Sequence, residues 1–136
     1  MNKIESLAKF LNVESETIEA NNDGETFEHD GSEYLILTDE EADAKCRDYV
    51  ENTAWAFKAE FIASHTRNGL NSAAIKALGK MQVELCENAN ELVLALVEDV
   101  NAFFQDAVRS DGRGHFLSSY DGEEVESGEF YIYQTN

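Results

Sequence analysis

The amino-acid sequence predicts an α+β fold, in which a small antiparallel sheet, made by an N-terminal hairpin and a C-terminal strand or hairpin, packs on three to four α-helices. Three observations support it. The 136 residues include no proline, so the strongest helix breaker is absent. Strand-forming stretches lie near both ends of the chain, and helical periodicity fills the part between them. We expect a single domain over residues 1–136.

A short helix is predicted at the N-terminus. Apolar side chains at Ile4, Leu7 and Leu11 share one face of a helix over residues 3–12. Residues 15–21 are expected to add one more helical turn before a run of Asn, Asp and Gly breaks the pattern.

A β-hairpin follows. Residues 26–29 and 32–37 both favour strands, and the dipeptide Asp30-Gly31 lies between them. Both residues of such a two-residue turn need a positive φ, which Asp and Gly tolerate, so the hairpin is the strongest local prediction in the chain.

Two helical tracts are predicted in the middle of the chain. Thr38 and Glu41 have the spacing of a capping box, which opens a helix that the periodicity extends to about Ala63. The second tract covers residues 72–110 and would be about 60 Å long if unbroken, so we expect a break near Gly79-Lys80. The run at 92–97 is apolar all round, which predicts a helix that is buried on most sides.

The C-terminal part returns to strand patterning. Residues 115–120 and 129–133 could pair as a second hairpin, or the last stretch alone could join the first hairpin as an edge strand. Both alternatives stay open at this point.

The charge of the chain limits its partners. Twenty-eight Asp and Glu against ten Lys and Arg give a net charge of −18, about that of nine base pairs of duplex DNA. Such a chain is repelled by phosphates and by anionic lipid, so we expect no direct binding of nucleic acid or membrane. The N-terminus also lacks the apolar core of a signal peptide, which favours a cytoplasmic location. Cys46 and Cys86 are expected to be buried thiols.

The carboxylates are clustered. Fourteen lie between Glu14 and Glu51 against two bases, and five lie between Asp121 and Glu129 against none, whereas residues 64–80 carry three bases and no acid. Because crowding like charges costs stability, the clusters suggest a surface for a basic partner as well as a means of staying soluble. The acidic residues predicted to contact it are Glu25, Glu28, Asp30, Glu33, Asp39, Glu40, Asp43, Asp121, Glu123, Glu124 and Glu126.

Further candidate contacts come from outside the acidic clusters. Trp55 lies off the apolar stripe of its helix, and exposed tryptophans are common at protein interfaces. Arg113, His115 and Tyr120 belong to a polar, glycine-rich stretch that supplies an anion clamp and a base, and it also fits a turn without chemistry. No cofactor or metal site is predicted, since the one calcium-loop pattern, centred on Gly24, fits poorly.

One stretch suggests an origin for the protein. Residues 111–124, which read Asp-Gly-Arg-Gly-His-Phe-Leu-Ser-Ser-Tyr-Asp-Gly-Glu-Glu, and Phe-Tyr-Ile-Tyr at 130–133 resemble a group of small uncharacterised acidic proteins encoded by bacteriophages and mobile elements. Residues 34–43 and Trp55-Ala56-Phe57 are similar to the same group. Small acidic phage proteins often inhibit host nucleic-acid machinery, and some look like DNA mimics. The resemblance thus implies the cytoplasm of a bacterial host.

Together these observations favour a non-enzymatic acidic binding module. We expect it to bind the basic surface of a nucleic-acid-binding protein, as a DNA-mimic inhibitor of a restriction or CRISPR effector would. One alternative is a small enzyme or ligand-binding protein that uses Arg113, His115, Tyr120 and Asp121. The other is a structural homo-oligomer of a phage or mobile element, with a homodimer as its simplest form.

Overall fold

The computed structural model describes residues 1–136 and confirms the α+β prediction. The strands form one antiparallel sheet, and they are β1 (Glu19–Ala20), β2 (Thr26–His29), β3 (Ser32–Thr38), β4 (Val125–Ser127) and β5 (Phe130–Gln134). The helices are α1 (Lys3–Leu11), α2 (Asp39–Asn52), α3 (Ala59–Ala63), α4 (Ser72–Leu85), α5 (Asn90–Leu96), α6 (Val100–Asp111) and α7 (Arg113–Leu117). None of the helices combines the length and the apolar content needed to cross a bilayer.

The chain divides into two compact units. Unit 1 comprises residues 1–46 and 111–136, and unit 2 comprises residues 47–110. The single domain expected from the sequence stays a prediction, because the compactness of each part does not measure whether the parts unfold together.

The sheet of unit 1 is built from both ends of the chain. Its strand order is β1-β2-β3-β5-β4, so β5 joins the first hairpin through β3 but lies inside the sheet, with β4 at the edge. Neither arrangement expected for the C-terminus is therefore fully correct. The last strand does pair with the hairpin, yet residues 125–127 rather than 115–120 form its second partner.

Both faces of this sheet bury apolar side chains. On one face Phe27, Tyr34, Ile36 and Ile132 pack with α1, chiefly through Leu7. The residues that alternate with them point to the opposite face, and the most buried of these are Leu35, Leu37 and Tyr133. The result is a sheet whose central strands are hidden on both sides.

Local signals near the N-terminus are confirmed. The turn between β2 and β3 has φ of 49° at Asp30 and 83° at Gly31, as the hairpin prediction requires. At the start of α2, the Glu41 N–H donates to Thr38 Oγ1 at 3.2 Å, and the Thr38 N–H donates to Glu41 Oε1 at 2.9 Å. The capping box therefore forms with both bonds.

Residues 15–21 differ from the prediction. They contain only a 3₁₀ turn at Ser15–Thr17, after which the chain extends into β1. The extended conformation lets β1 pair with β2, so a sheet contact uses the second half of the stretch and the helical turn is confined to residues 15–17.

The helix that starts at Asp39 ends earlier than predicted, at Asn52 rather than about Ala63. Asn90 explains this end, because its side-chain amide donates to the Glu51 carbonyl at 2.7 Å and accepts from the Trp55 N–H at 3.1 Å. A side chain from α5 thus satisfies backbone groups that a longer helix would have paired.

The second helical tract breaks at positions other than Gly79-Lys80. Helix α4 runs through Gly79, and the first break comes at Cys86, whose φ is 50°. The second lies between α5 and α6, where Glu98 N–H donates to the His65 carbonyl at 2.9 Å. Cys86 is exposed, contrary to the expectation of two buried thiols, whereas Cys46 is buried.

Helix α5 is less buried than its composition suggested. Val93 is fully buried, but Leu92 and Leu96 are 47% and 37% exposed on the same side of the helix. The core of unit 2 instead surrounds Phe103, whose ring lies 5.1 Å from that of Phe61. An all-apolar sequence allows any face of a helix to be buried. Which faces are actually buried depends on the elements that pack against the helix.

Residues 113–117 form helix α7 where a strand was predicted for 115–120. Gly114 accounts for the difference: its Cα packs so closely on the backbone of residues 122–124 that any Cβ would overlap with it. Gly112 turns the chain before the helix with a φ of 83°. The two glycines serve this turn and close packing, which strand patterning does not reveal.

Candidate functional site

Unit 1 holds most of the charge of the protein. Nineteen of the twenty-eight carboxylates and four of the ten Lys and Arg lie in it, which gives unit 1 a net charge of −15 and unit 2 a net charge of −3. Twelve of the fourteen carboxylates of the first acidic cluster and all five of the second lie in unit 1, where β5 pairs with β3. This unit is the candidate interaction surface.

A row of glutamates crosses three strands of this unit. Glu19 on β1 lies directly opposite Glu28 on β2, and Glu28 lies directly opposite Glu33 on β3. Directly opposed Cβ atoms in antiparallel strands are about 5 Å apart, and like charges at that spacing destabilise a sheet. None of the three forms an ion pair, although Glu33 Oε1 accepts from the Thr135 hydroxyl at 2.9 Å. We call these three residues the glutamate row.

Arg113 organises a second group of carboxylates. Its Nη1 lies 2.9 Å from Asp39 Oδ1 and 3.0 Å from Asp43 Oδ1, and its Nε lies 2.8 Å from Glu124 Oε2. Asp39 and Asp43 are one helical turn apart in α2, so both face α7. The guanidinium also lies 4.7 Å from the centre of the Tyr131 ring, in the range of a cation–π contact.

The environment of Arg113 keeps it charged and fixed. Burial on its own would lower the pKa of Arg113, whose side chain is only 12% exposed, but the hydrogen bonds that it donates to Glu124, Asp39 and Asp43 outweigh burial and raise the pKa above its ordinary value. The phenol of Tyr133 donates to Glu124. Burial first, and then this carboxylate, raise the pKa of Tyr133 above its ordinary range. The group thus connects α7 with α2 and with the segment before β4, as a structural cluster would, and it lacks the features of a reactive centre.

The thiol of Cys46, which lies near Arg113, is inert at neutral pH. Cys46 is fully buried, and burial raises the pKa of its thiol to about 12. Since the thiolate is the nucleophilic form, Cys46 cannot serve as a nucleophile in this setting.

Other charges of unit 1 are engaged locally. Lys45 pairs with Glu25 at 2.8 Å, and Lys3 pairs with Glu41 at 3.1 Å. Asp23 accepts from the Thr26 N–H at 2.8 Å and from the Glu25 N–H at 2.9 Å, which stabilises the turn before β2. The backbone bond from Thr26 is the largest of the effects that lower the pKa of Asp23 to about 2.

The acidic residues predicted as partner contacts all lie in unit 1, in three settings. Glu28 and Glu33 belong to the glutamate row, and Asp30 occupies the adjoining turn. The members of the Arg113 group are Asp39, Asp43 and Glu124. The remaining ones are Glu25, which pairs with Lys45, and Glu40, Asp121, Glu123 and Glu126, which are exposed.

The predicted contacts of other types are placed differently. His115 is exposed and lies against the Phe116 ring, and Tyr120 is 62% exposed. Trp55 belongs to unit 2, where it is half-buried and its backbone carbonyl accepts from Gln82 at 2.6 Å.

The polar stretch of residues 111–122 does not assemble as a reactive site. Arg113 is directed to α2, whereas the Asp121 carboxylate accepts from the Ser118 hydroxyl at 2.9 Å and from the Glu123 N–H at 3.0 Å. The ring of His115 packs against Phe116 and not against Arg113 or Asp121. A base, an anion clamp and a nucleophile thus point to separate neighbours.

Sequence reasoning missed three contributors to this surface. Glu19 joins the glutamate row only through the pairing of β1, a two-residue strand with no sequence signal. Tyr131 and Tyr133 were assigned to a strand, but their contacts with Arg113 and Glu124 depend on the position of α7. The alternation of residues 130–133 could have indicated that these two tyrosines share a face.

Comparison with protein families, with characterised proteins and with solved structures found no match to this chain. Its function is therefore inferred from its own residues, and the resemblance to phage-encoded acidic proteins stays a prediction.

Proposed function

We propose that the protein is an acidic binding module whose unit 1 docks on a basic surface of a nucleic-acid-binding protein in place of nucleic acid. The observation that carries this proposal is the glutamate row, in which three carboxylates face one another across adjacent strands without a cation. Solubility alone needs no such arrangement, because dispersed charges serve it without cross-strand repulsion.

The spacing of the row suits this role. Neighbouring strands are about 4.8 Å apart, so the row presents charge at a density of the same order as one DNA strand, which carries a phosphate per about 3.4 Å of axis. The net charge of −15 on unit 1 adds a long-range field that steers a basic partner toward it. A host restriction or CRISPR effector, which holds nucleic acid in a cationic channel, has the matching chemistry.

A displacement assay tests the proposal. Purified restriction and CRISPR effectors of bacterial hosts are loaded with a fluorescent nucleic acid, and its release by the protein is followed by anisotropy. We expect release at low salt from at least one effector, with an affinity that falls steeply as salt rises. If no effector releases its nucleic acid, the proposal is wrong.

Matched variants separate the glutamate row from net charge. The triple change of Glu19, Glu28 and Glu33 to Gln should weaken release by at least about tenfold, since three charge contacts are lost. The control changes Glu84, Glu87 and Glu98 of unit 2 to Gln, which alters the net charge equally. Equal losses in both variants would show that net charge alone acts.

A homodimer is the second candidate, favoured by one observation in unit 2. Leu92 and Leu96 are exposed one turn apart on α5, so they form an apolar strip on its surface. Sedimentation velocity tests this candidate: a dimer should dissociate when Leu92 and Leu96 are both changed to Glu. A monomer at all concentrations would exclude it.

A further inference from the structure

A groove runs beside α4 in unit 2. It consists of two adjoining cavities of about 580 and 390 Å³, which share Lys58, Ala59 and Gly79 in their walls. Helix α4 has fourteen residues, so the groove extends along about 20 Å of helix. Its other wall is the segment from Trp55 to Glu60.

The floor of the groove contains an unexplained glycine. Gly79 lies inside α4, where glycine weakens a helix relative to alanine. Its φ is not positive, and an added Cβ would lie 3.7 Å from Ala59 Cβ, an ordinary contact. Neither backbone conformation nor internal packing therefore requires glycine. Glycine at this position leaves the wall that the two cavities share without a side chain.

Unpaired cations line the middle and one end of the groove. Lys58 and Lys76 border the larger cavity, where Glu60 is the one carboxylate, and Lys80 lies one turn beyond Lys76. None of these lysines forms an ion pair or a side-chain hydrogen bond. In unit 1, by contrast, three of the four cations, Lys3, Lys45 and Arg113, pair with carboxylates, and only Lys9 does not. A chain with twenty-eight carboxylates thus leaves these cations without a partner.

The other end of the groove is apolar. Trp55, Phe57 and Val83 line the smaller cavity, and Val83 is 79% exposed. The wall is held in place because Gln82 Nε2 lies 2.6 Å from the carbonyl oxygens of both Trp55 and Phe57. The groove therefore offers a fixed apolar surface at one end and cations at its middle and other end.

We propose that this groove binds an amphipathic α-helix of a partner protein, with an apolar stripe toward Gly79 and acidic residues beside Lys58 and Lys76. Small residues such as Ala59 and Gly79 let a third helix approach closely, and the length of α4 suits several turns of a bound helix. Charge complementarity requires the flank of that helix to be acidic. The proposal concerns unit 2 alone and does not depend on the function proposed for unit 1.

A second copy of the chain is a poorer occupant, because it would bring a net charge of −18. A partner helix needs to supply only the few carboxylates that face the lysines. Nucleic acid has no apolar stripe to match Trp55, Phe57 and Val83.

Fluorescence of Trp55, the one tryptophan in the chain, reports binding directly because this residue lines the groove. The probe is a synthetic helical peptide of about fourteen residues with Leu at helical spacing and Glu along one flank. We expect a saturable change in emission with a Kd below about 1 mM, and binding at least about tenfold weaker for a twin peptide with Lys in place of Glu. Equal binding of the two peptides, or no response to either, would overturn the proposal.

Two variants test whether the peptide binds in this groove. Changing both Lys58 and Lys76 to Glu should reverse the preference between the peptides, and Gly79→Leu should abolish binding by filling the groove. Arg109→Glu is the control, since Arg109 is exposed on α6 and does not line the groove. Unchanged preference in the lysine variant overturns the proposal even if Gly79→Leu fails to fold. Self-association of the protein that alters Trp55 emission without peptide would show a second copy in the groove, which also overturns it.

Discussion

At the scale of single residues, Arg113 has a role that its neighbours in sequence do not indicate. It contacts two carboxylates of α2 and one from the segment before β4, and it covers the Tyr131 ring. A guanidinium supports several such bonds at once because its donors lie in a fixed plane. The acidic surface of unit 1 is thus partly organised by a cation, which limits how far its carboxylates can move apart.

Replacing Arg113 tests this role. Arg113→Lys should lower the free energy of unfolding by about 2 kcal/mol, because one ammonium cannot serve three carboxylates and stack on Tyr131. Urea denaturation measures the change. As a control, Arg47→Lys should cost less than about 0.5 kcal/mol, since the Arg47–Glu51 pair is exposed to solvent. Similar losses in the two variants would contradict a special role for Arg113.

Ser6 is a residue that weakens the protein. Its hydroxyl is fully buried in α1 without a hydrogen-bond partner. Ser6→Ala should therefore raise the free energy of unfolding by about 1 kcal/mol, as measured by urea denaturation. Ser110→Ala, at an exposed position of α6, corrects for helix propensity. Ser127→Ala should be destabilising, because that hydroxyl donates to the Ser6 carbonyl at 2.9 Å.

The Asp23 carboxylate makes the free energy of unfolding depend on pH in the acid range. Hydrogen bonds in the folded state lower its pKa from 3.8 to about 2, so the carboxylate stabilises the fold fully above about pH 4 and this contribution is lost as the pH falls toward 2. Asp23→Asn should be less stable than the parent at pH 6 and equal to it at pH 2. Thermal unfolding across this range measures the difference, and a gap that stays constant with pH would contradict the assignment.

At the scale of elements, the parts of the fold set by local chemistry were predictable, and those set by distant contacts were not. The Asp30-Gly31 hairpin and the Thr38–Glu41 capping box need only their own residues. The end of α2 depends on Asn90, about forty residues away, and α7 depends on the backbone it packs against at 122–124. No periodicity in the sequence contains that information.

The candidate site follows the same rule. The clustering of carboxylates was visible in composition, so the acidic surface was predicted together with most of its residues. The glutamate row and the Arg113 group were not, because each needs a strand register or a helix position that only the folded chain supplies.

The glutamate row should cost stability. Glu28→Gln removes the central charge and both repulsive pairs, so the free energy of unfolding should rise by about 0.5 kcal/mol at low salt and by less at high salt. Glu126→Gln is the strand control, because Glu126 faces Tyr131 and no carboxylate. Urea denaturation at a low and at a high NaCl concentration measures the free energy of unfolding of both variants. A stabilisation by Glu126→Gln as large as that by Glu28→Gln would show that position in the row does not matter.

At the scale of the whole molecule, the charge is divided unequally, with −15 in unit 1 and −3 in unit 2. Unit 1 therefore carries the self-repulsion that a polyanion must overcome to stay folded. The lysines that border the groove lie in unit 2 and form no ion pair, so the two surfaces proposed here would take partners of opposite charge. The two proposed surfaces differ in the sign of charge they select.

Salt should stabilise the protein. The Debye length falls from about 30 Å at 0.01 M to about 8 Å at 0.15 M, which screens repulsion among the carboxylates of unit 1. We expect the Tm to rise by several degrees over this range of NaCl at pH 7, as followed by circular dichroism. A Tm that falls with salt would mean that attractive ion pairs such as those of Arg113 outweigh the repulsion.

The central pairing of β3 with β5 has a consequence for synthesis on the ribosome. Leu35 and Leu37 are buried beside Tyr133 and Tyr131, which are translated about 95 residues later. Until these residues emerge, β3 offers the nascent chain an unpaired apolar edge of the kind that other strands can join. The protein is therefore most vulnerable to aggregation during its own translation, and messages truncated before residue 130 should yield insoluble products.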